Sequence, residues 1–313
     1  MTRTVIPSEA RGSQIENHII MKRILPFILF LAAVSCGTSA PHGPIDVQAH
    51  RGGAGLYPEN TIPAMKNALD MDVNTLEFDL HLSQDLQVVV SHDPFFHERY
   101  STRPDGSLVK KGDPKEYLFT MPYDSIAKYD VGLRHVDRWP DQVKVAAVKP
   151  LASELIDFTE SYAKQPVNYN IEIKSTEGDG EGTLWPDYKT FCDVCIPLLL
   201  SKNLGDRLIV QSFDPRALNY IHENWPEVTL SFLTEPFDGG NIEKLLGRLD
   251  FVPQWWSPES HVVTKKNVAW CHAHGIGVVP WTVDSKAEMR RMVKCGVEAI
   301  ISNYPDRLIE VVR

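Results

Sequence analysis

From residue 45 onward the chain alternates short apolar, β-rich runs with longer amphipathic runs of helical period, and this alternation limits the fold more than any other feature. Strand candidates lie at 45–49, 75–80, 168–173, 207–211, 228–233, 251–254, 277–281 and 299–302. Helical patterns lie between them, near 61–71, 151–163, 188–203, 215–224, 239–247, 264–273 and 285–295, two of them closed by Gly275 and Gly296. Strand and helix in alternation imply a parallel sheet with its helices outside. Eight such units within residues 45–313 fit the fold class α/β, as a TIM-type (β/α)8 barrel.

One segment breaks the rhythm. Residues 86–91 form a ninth strand candidate only a few residues after the second. So short a link cannot cross over to a parallel neighbour, so a β-hairpin after strand 2 is expected, with residue 92 roughly opposite residue 77. Residues 98–150, rich in Lys, Asp, Pro and Gly, then read as a small insertion, a candidate lid or cap.

The amino-terminal region is read separately. Lys22 and Arg23 precede an apolar run at 24–34 that is short for a membrane span, and small residues with Cys36 follow. Residues 21–36 are therefore expected to be a signal peptide with a lipobox, Met21 the biological start, and residues 1–20 a gene-model extension. Residues 37–44 become a tether, and a lipid on Cys36 would hold the protein at the cell envelope, in the periplasm or on the outer surface; the alternative is simple secretion. Of the other cysteines, Cys192 and Cys195 form a C-x-x-C inside a helical apolar run and are expected to be buried thiols rather than metal ligands. The net charge of −9 speaks against nucleic acid, since phosphate backbones reward a basic face, but not against a small phosphate ester. No protein partner is expected.

Polar residues gather where the strand candidates end, which on a barrel is the face that carries active sites. In Glu77-Phe78-Asp79 both carboxylates point to one side of a strand and Phe78 to the other. Two such acids facing inward repel each other unless a cation compensates. Glu172 and Lys174 repeat the pattern on the next parallel strand, and three carboxylates suit a hard divalent ion, Ca²⁺ or Mg²⁺. His50 follows the first strand, and the hairpin brings His92 beside the acids; two imidazoles there can share acid and base roles. Arg51 and Lys174 are the cations at hand for a phosphate, and Trp281 is placed to touch the alcohol part of a substrate.

Taken in order, His50-Arg51-Gly52, Pro58-Glu59-Asn60-Thr61, Glu77-x-Asp79, His92-Asp93, Glu172-x-Lys174, Gln211-Ser212-Phe213, Trp281-Thr282-Val283-Asp284 and Ser302-Asn303-Tyr304-Pro305-Asp306 make a chain that resembles the glycerophosphodiester phosphodiesterase family. The resemblance runs from about residue 46 to the carboxyl terminus. It implies a TIM-type barrel with an inserted region after the His-Asp motif, a divalent metal on Glu77, Asp79 and Glu172, His50 and His92 as the general acid/base pair, and Arg51 on phosphate. Glu59 is expected to support the site by orienting Arg51. The implied reaction is hydrolysis of a glycerophosphodiester to sn-glycerol 3-phosphate and an alcohol, with the acid and base roles of the two histidines open. Action on an intact lipid or another polyol phosphodiester, and phosphodiester binding without turnover, stay as alternatives. A glycoside hydrolase barrel would also pair carboxylates at strand ends but would not need His50, His92 and Lys174 together.

Overall fold

The computed structural model describes residues 43–236 and 241–313. The chain divides into Met1–Ala40 and Pro41–Arg313, and everything below concerns the second unit. The expected signal peptide, the expected lipobox at Cys36 and most of the expected tether lie outside the described residues. Among the described residues no helix is long and apolar enough to cross a membrane.

Nine strands form one sheet: β1 (Asp46–Ala49), β2 (Thr75–Leu82), β3 (Val88–Val90), β4 (Asn168–Ile173), β5 (Leu208–Ser212), β6 (Thr229–Thr234), β7 (Trp255–Pro258), β8 (Gly277–Val278) and β9 (Ala299–Ser302). Eight of them run parallel in the order β8-β7-β6-β5-β4-β2-β1-β9, and β3 pairs antiparallel with β2 outside that path. Pro280 has no N–H, and strand β8 stops before it. The ring is nonetheless nearly closed: Glu298 N–H reaches the Val278 carbonyl (3.3 Å), Ile301 N–H the Pro280 carbonyl (3.0 Å) and Val283 N–H the Ile301 carbonyl (3.0 Å).

The helices are α1 (Ile62–Asp70), α2 (Tyr123–Ile126), α3 (Ala152–Tyr162), α4 (Tyr188–Ser201), α5 (Pro215–Asn224), α6 (Ile242–Leu246), α7 (Lys265–Ala273), α8 (Lys286–Cys295) and α9 (Pro305–Val312). Their starts are written locally. Thr61, Asp187, Asp214, Thr264 and Ser285 each accept from a backbone N–H of the first turn, and Pro215 and Pro305 open α5 and α9. The main core lies between the outer face of the sheet and the helices, where Leu76, Phe78, Leu80, Tyr169, Ile171 and Val210 pack against Met65, Leu155, Phe191 and Leu218. The inner face is more polar. Asn170 donates to Gln48 (2.9 Å), the Ser231 and Ser257 hydroxyls meet at 2.9 Å, and Thr75 donates to Asp46.

Three expectations need correction, and one helix was not expected. The seventh strand is Trp255–Pro258, not 251–254: Pro253 interrupts the apolar run, and the residues paired with β6 begin at the two tryptophans beyond it. The eighth strand is shorter than 277–281 because of Pro280. The hairpin register is one residue off, with Leu80 opposite Val90, which sets residue 92 toward 78. The helix after β9, α9, has an apolar face that the alternation pattern did not pick out.

The insertion has a core of its own. Phe96, Val109, Leu118, Ile126, Tyr129 and Val131 pack with Val89 of the hairpin, and the Phe96 and Tyr129 rings stack at 3.7 Å. Its far end returns along β3, where Val90 N–H donates to the Pro150 carbonyl (2.9 Å) and Val89 bridges Leu151. The described cysteines are free thiols, with Cys192, Cys195 and Cys271 buried.

Candidate active site

The carboxyl ends of the strands open into a cavity of about 500 Å³. His50, Arg51, Glu77, His92, Glu172, Lys174 and Trp281 all line it. Of the other expected site residues, Asp79 lies buried beside them and Glu59 stands behind Arg51.

The turn after β1 builds one side. Gly52 has φ of +80°, and a Cβ there would meet the Ala64 Cβ at 2.8 Å, so the chain passes against α1 only as glycine. This tight turn aims the Arg51 N–H at Glu77 Oε2 (2.8 Å). The Arg51 side chain donates to Glu59 Oε1 (2.9 Å) and lies 3.4 Å from Asp79 Oδ2. His50 is oriented from the far end of the chain. Asn303 Nδ2 donates to Asp284 (2.9 Å), so Asn303 Oδ1 accepts from His50 Nδ1–H (2.7 Å) and the lone pair of Nε2 is left 4.0 Å from Glu77 Oε2. Burial, and then the charge of Arg51, hold His50 well below the usual imidazole range, so the ring is neutral at neutral pH.

The acids come from two adjacent strands. Asp79 and Glu172 are register partners across β2 and β4, and Glu77 sits one inward position deeper on β2. One carboxylate oxygen from each lies within 4.8 Å of the other two, and all three residues are buried. Gln211 donates to Glu77 Oε1 (2.8 Å), and Asn60 to Asp79 Oδ2 (2.8 Å). Lys174 Nζ lies 3.0 Å from Glu172 and 3.7 Å from Asp79. This compensation is incomplete. Burial and the neighbouring Asp79 drive Glu77 well above the carboxylate range, and burial carries Glu172 up to about 8, while Lys174 and Arg51, against the cost of burial, hold Asp79 well below its ordinary value. Asp79 Oδ1 is buried and accepts no hydrogen bond. Three acids with too little positive charge, one of them with a buried oxygen that accepts no hydrogen bond, fit a divalent cation.

His92 is held differently. Its Nδ1–H donates to Asp93 Oδ1 (3.1 Å), while Tyr100 donates to Asp93 Oδ2 (3.1 Å). The His92 carbonyl accepts from His81 Nε2 (3.1 Å), which fixes the main chain behind the ring. Nε2 of His92 is thus the nitrogen left for the cavity.

Across from the charged side stands an aromatic wall. Trp281 is locked by its indole N–H on the Ser257 carbonyl (3.0 Å) and meets Phe213 edge-on at 5.3 Å. The insertion supplies Arg138 and Trp139, with the guanidinium 4.5 Å from the Trp139 ring centre and Trp139 packed on Tyr304 at 5.8 Å. Sequence reasoning did not single out Arg138 or Trp139 as parts of the site. It placed Gln211 and Asn303 at strand ends on the active-site face and quoted Asn60, Phe213 and Asp284 as motif members, but spacing alone carried no sign of whom they would touch.

A family model, the glycerophosphoryl diester phosphodiesterase family, matches residues 50–307. The chain belongs to that family. Among curated relatives, a glycerophosphodiester phosphodiesterase of Caldanaerobacter subterraneus subsp. tengcongensis is 28% identical over 267 residues, spanning 85% of this chain and 97% of that protein. Among solved structures, a glycerophosphoryl diester phosphodiesterase from Silicibacter pomeroyi superposes with a TM-score of 0.78 at 24% identity, over 87% of this chain and 94% of the other. An Oleispira antarctica phosphodiesterase, solved with sn-glycerol-3-phosphate as its product, superposes at 0.68 with 20% identity, over 86% and 97%. These neighbours share the nearly closed parallel barrel of eight strands.

Proposed function

We propose that this protein is a divalent-metal-dependent phosphodiesterase that cleaves glycerophosphodiesters to sn-glycerol 3-phosphate and an alcohol. The observation that carries the proposal is the meeting of three under-compensated carboxylates and two imidazoles in one cavity. Glu77, Asp79 and Glu172 would hold Ca²⁺ or Mg²⁺, which when bound supplies a Lewis acid for a phosphate oxygen and the adjacent hydroxyl.

The chain's own groups divide the proton work. His50 is neutral with Nε2 bare, so it takes the proton of the attacking glycerol 2-hydroxyl. His92 has Nδ1 held by Asp93 and Nε2 turned to the cavity, so the Nε2–H of its imidazolium form protonates the departing alkoxide. Bond formation at phosphorus from O2 and loss of the alcohol oxygen leave a cyclic phosphate. In the second half His92 accepts a proton from water, the hydroxide opens the ring, and His50 returns its proton to O2. Arg51 and Lys174 face the phosphate as fixed cations. The aromatic pair Phe213 and Trp281 packs the carbon skeleton. At the amino terminus, the lipobox reading places the enzyme on the cell envelope through Cys36; labelling with a radioactive fatty acid, lost in Cys36→Ala, tests that separately.

His50→Ala and His92→Ala should each lower glycerol phosphate release from glycerophosphocholine by about 10²–10⁴-fold with circular dichroism unchanged. Retained release in both variants would overturn the acid/base assignment. Equal turnover of a lysophospholipid or phosphatidylinositol in the same assay would move the substrate class to intact lipids.

A further inference from the structure

The His92–Asp93 pair is backed by a buried cation that the chemistry above leaves unused. Lys149, the penultimate residue of the insertion, is 4% exposed. Its Nζ donates to Ser91 Oγ at 2.6 Å, and that hydroxyl donates to the Asp93 carbonyl at 2.7 Å. The ammonium lies 5.6 Å from the Phe96 ring centre and 5.7 Å from that of Tyr100, the residue whose hydroxyl holds Asp93 Oδ2. The acids facing it are Asp93, Glu59 and Asp79, and the cation facing it is Arg51; Asp93 in turn faces His92, His97 and Lys149.

Burying an ammonium is costly unless a specific charge requires it. Burial does lower Lys149, to about 8, with Asp93 the strongest acid opposing that fall. Asp93 is correspondingly held far below the carboxylate range against its own burial, by His92 first and then by Lys149. A methionine would fill the same stem space without that cost, so packing alone does not explain the charge.

We propose that Lys149 is a positioning residue for His92: its buried charge, seated on Ser91, keeps Asp93 ionised, and ionised Asp93 keeps the His92 proton on Nδ1 with Nε2 turned to the cavity. This rests on reading His92 as a proton-transfer group, but its first consequence, the tautomer of the ring, does not depend on turnover. The arrangement also ties the insertion to the chemistry, because Lys149 and Pro150 are the residues through which residues 98–150 return to the hairpin.

The test uses the protein with Mg²⁺ or Ca²⁺ present, comparing Lys149→Met and Lys149→Gln with Lys149→Arg. Gln keeps a donor for Ser91 without the charge and stands in should the Met variant fail to fold. The expected result is a fall in kcat of about tenfold to a hundredfold for Met and Gln, with KM for glycerophosphocholine little changed, and recovery of most of the loss in Arg. Two-dimensional ¹H–¹⁵N spectra recorded at alkaline pH, where the ring has given up its Nε2 proton, should show His92 as the Nδ1–H form in wild type and Arg, and as a tautomer mixture in Met and Gln. An unchanged His92 tautomer in the uncharged variants overturns the proposal whatever happens to activity. A changed tautomer in the uncharged variants, beside a wild type that releases no glycerol phosphate, would support it while counting against the proposed reaction.

Discussion

Two sets of carboxylates, half-buried Asp93 at the hairpin and the buried acids of β2 and β4, are treated in opposite ways. At the hairpin, Asp93 has a donor for each oxygen, from His92 and Tyr100, with Lys149 behind it, and it is driven below its ordinary value. Across β2 and β4, Glu77 and Glu172 are driven up, and Asp79 Oδ1 accepts no hydrogen bond. The first arrangement is complete as a charge-paired support for a histidine. The second is complete only with an added cation. Folding tolerates the deficit because the strands carrying the acids are fixed by an apolar face, Leu76, Phe78 and Ile171, packed under the helices.

The contrast can be broken most strongly at the acid cluster. Asp79→Asn should remove about 10³-fold or more of glycerol phosphate release, and a chelator should do the same to wild type, reversed by Mg²⁺ or Ca²⁺. Asp93→Asn keeps shape and loses charge, and should cost less, about 10²-fold in kcat, while divalent-ion affinity measured by calorimetry stays within a few fold.

Stability without metal separates the two groups by sign. Glu172 has its folded value raised from 4.5 to about 8, so the native state binds more protons than the unfolded chain between those values. Metal-free protein should therefore lose stability as pH rises from about 5 to about 8, and Glu172→Gln should flatten that slope in a thermal melt. Asp93 is depressed, so its contribution is full above the usual carboxylate range and is lost as pH falls through the depressed value. Asp93→Asn should lower the melting temperature by a few degrees at neutral pH, about 1.5–3 kcal/mol for a lost charge-assisted hydrogen bond. The smallest effect is expected at the mouth, where Arg138→Ala should raise KM about threefold with kcat unchanged, since its guanidinium lies on Trp139 at the rim.

Much of this was legible from the chain. The strand-helix alternation placed β4 and β9 at the residues where they occur, and the inward pairing of Glu77, Asp79 and Glu172 follows from period two on adjacent strands. What was not legible depends on contacts between remote segments. Asn303 orients His50 from 253 residues away, and Lys149 reaches Ser91 across the whole insertion. Neither has a periodic signal. Local errors came from proline: Pro253 and Pro280 sit in runs that look like strands by hydropathy but lack the N–H a ladder requires. The insertion's small core was hidden because its apolar residues are spread among loops rather than set at helical or strand spacing.

The central claim is that the acid cluster is a cation site set between two histidines. The most direct measurement is the anomalous scattering of crystals soaked in Mn²⁺ as a probe for the hard divalent ion. The expected result is one strong peak bonded to oxygens of Glu77, Asp79 and Glu172 together, lost in Asp79→Asn, with Lys174 displaced from its present place near Glu172 and Asp79. A peak elsewhere, or none, with the Lys174 ammonium still seated on those carboxylates, would contradict it.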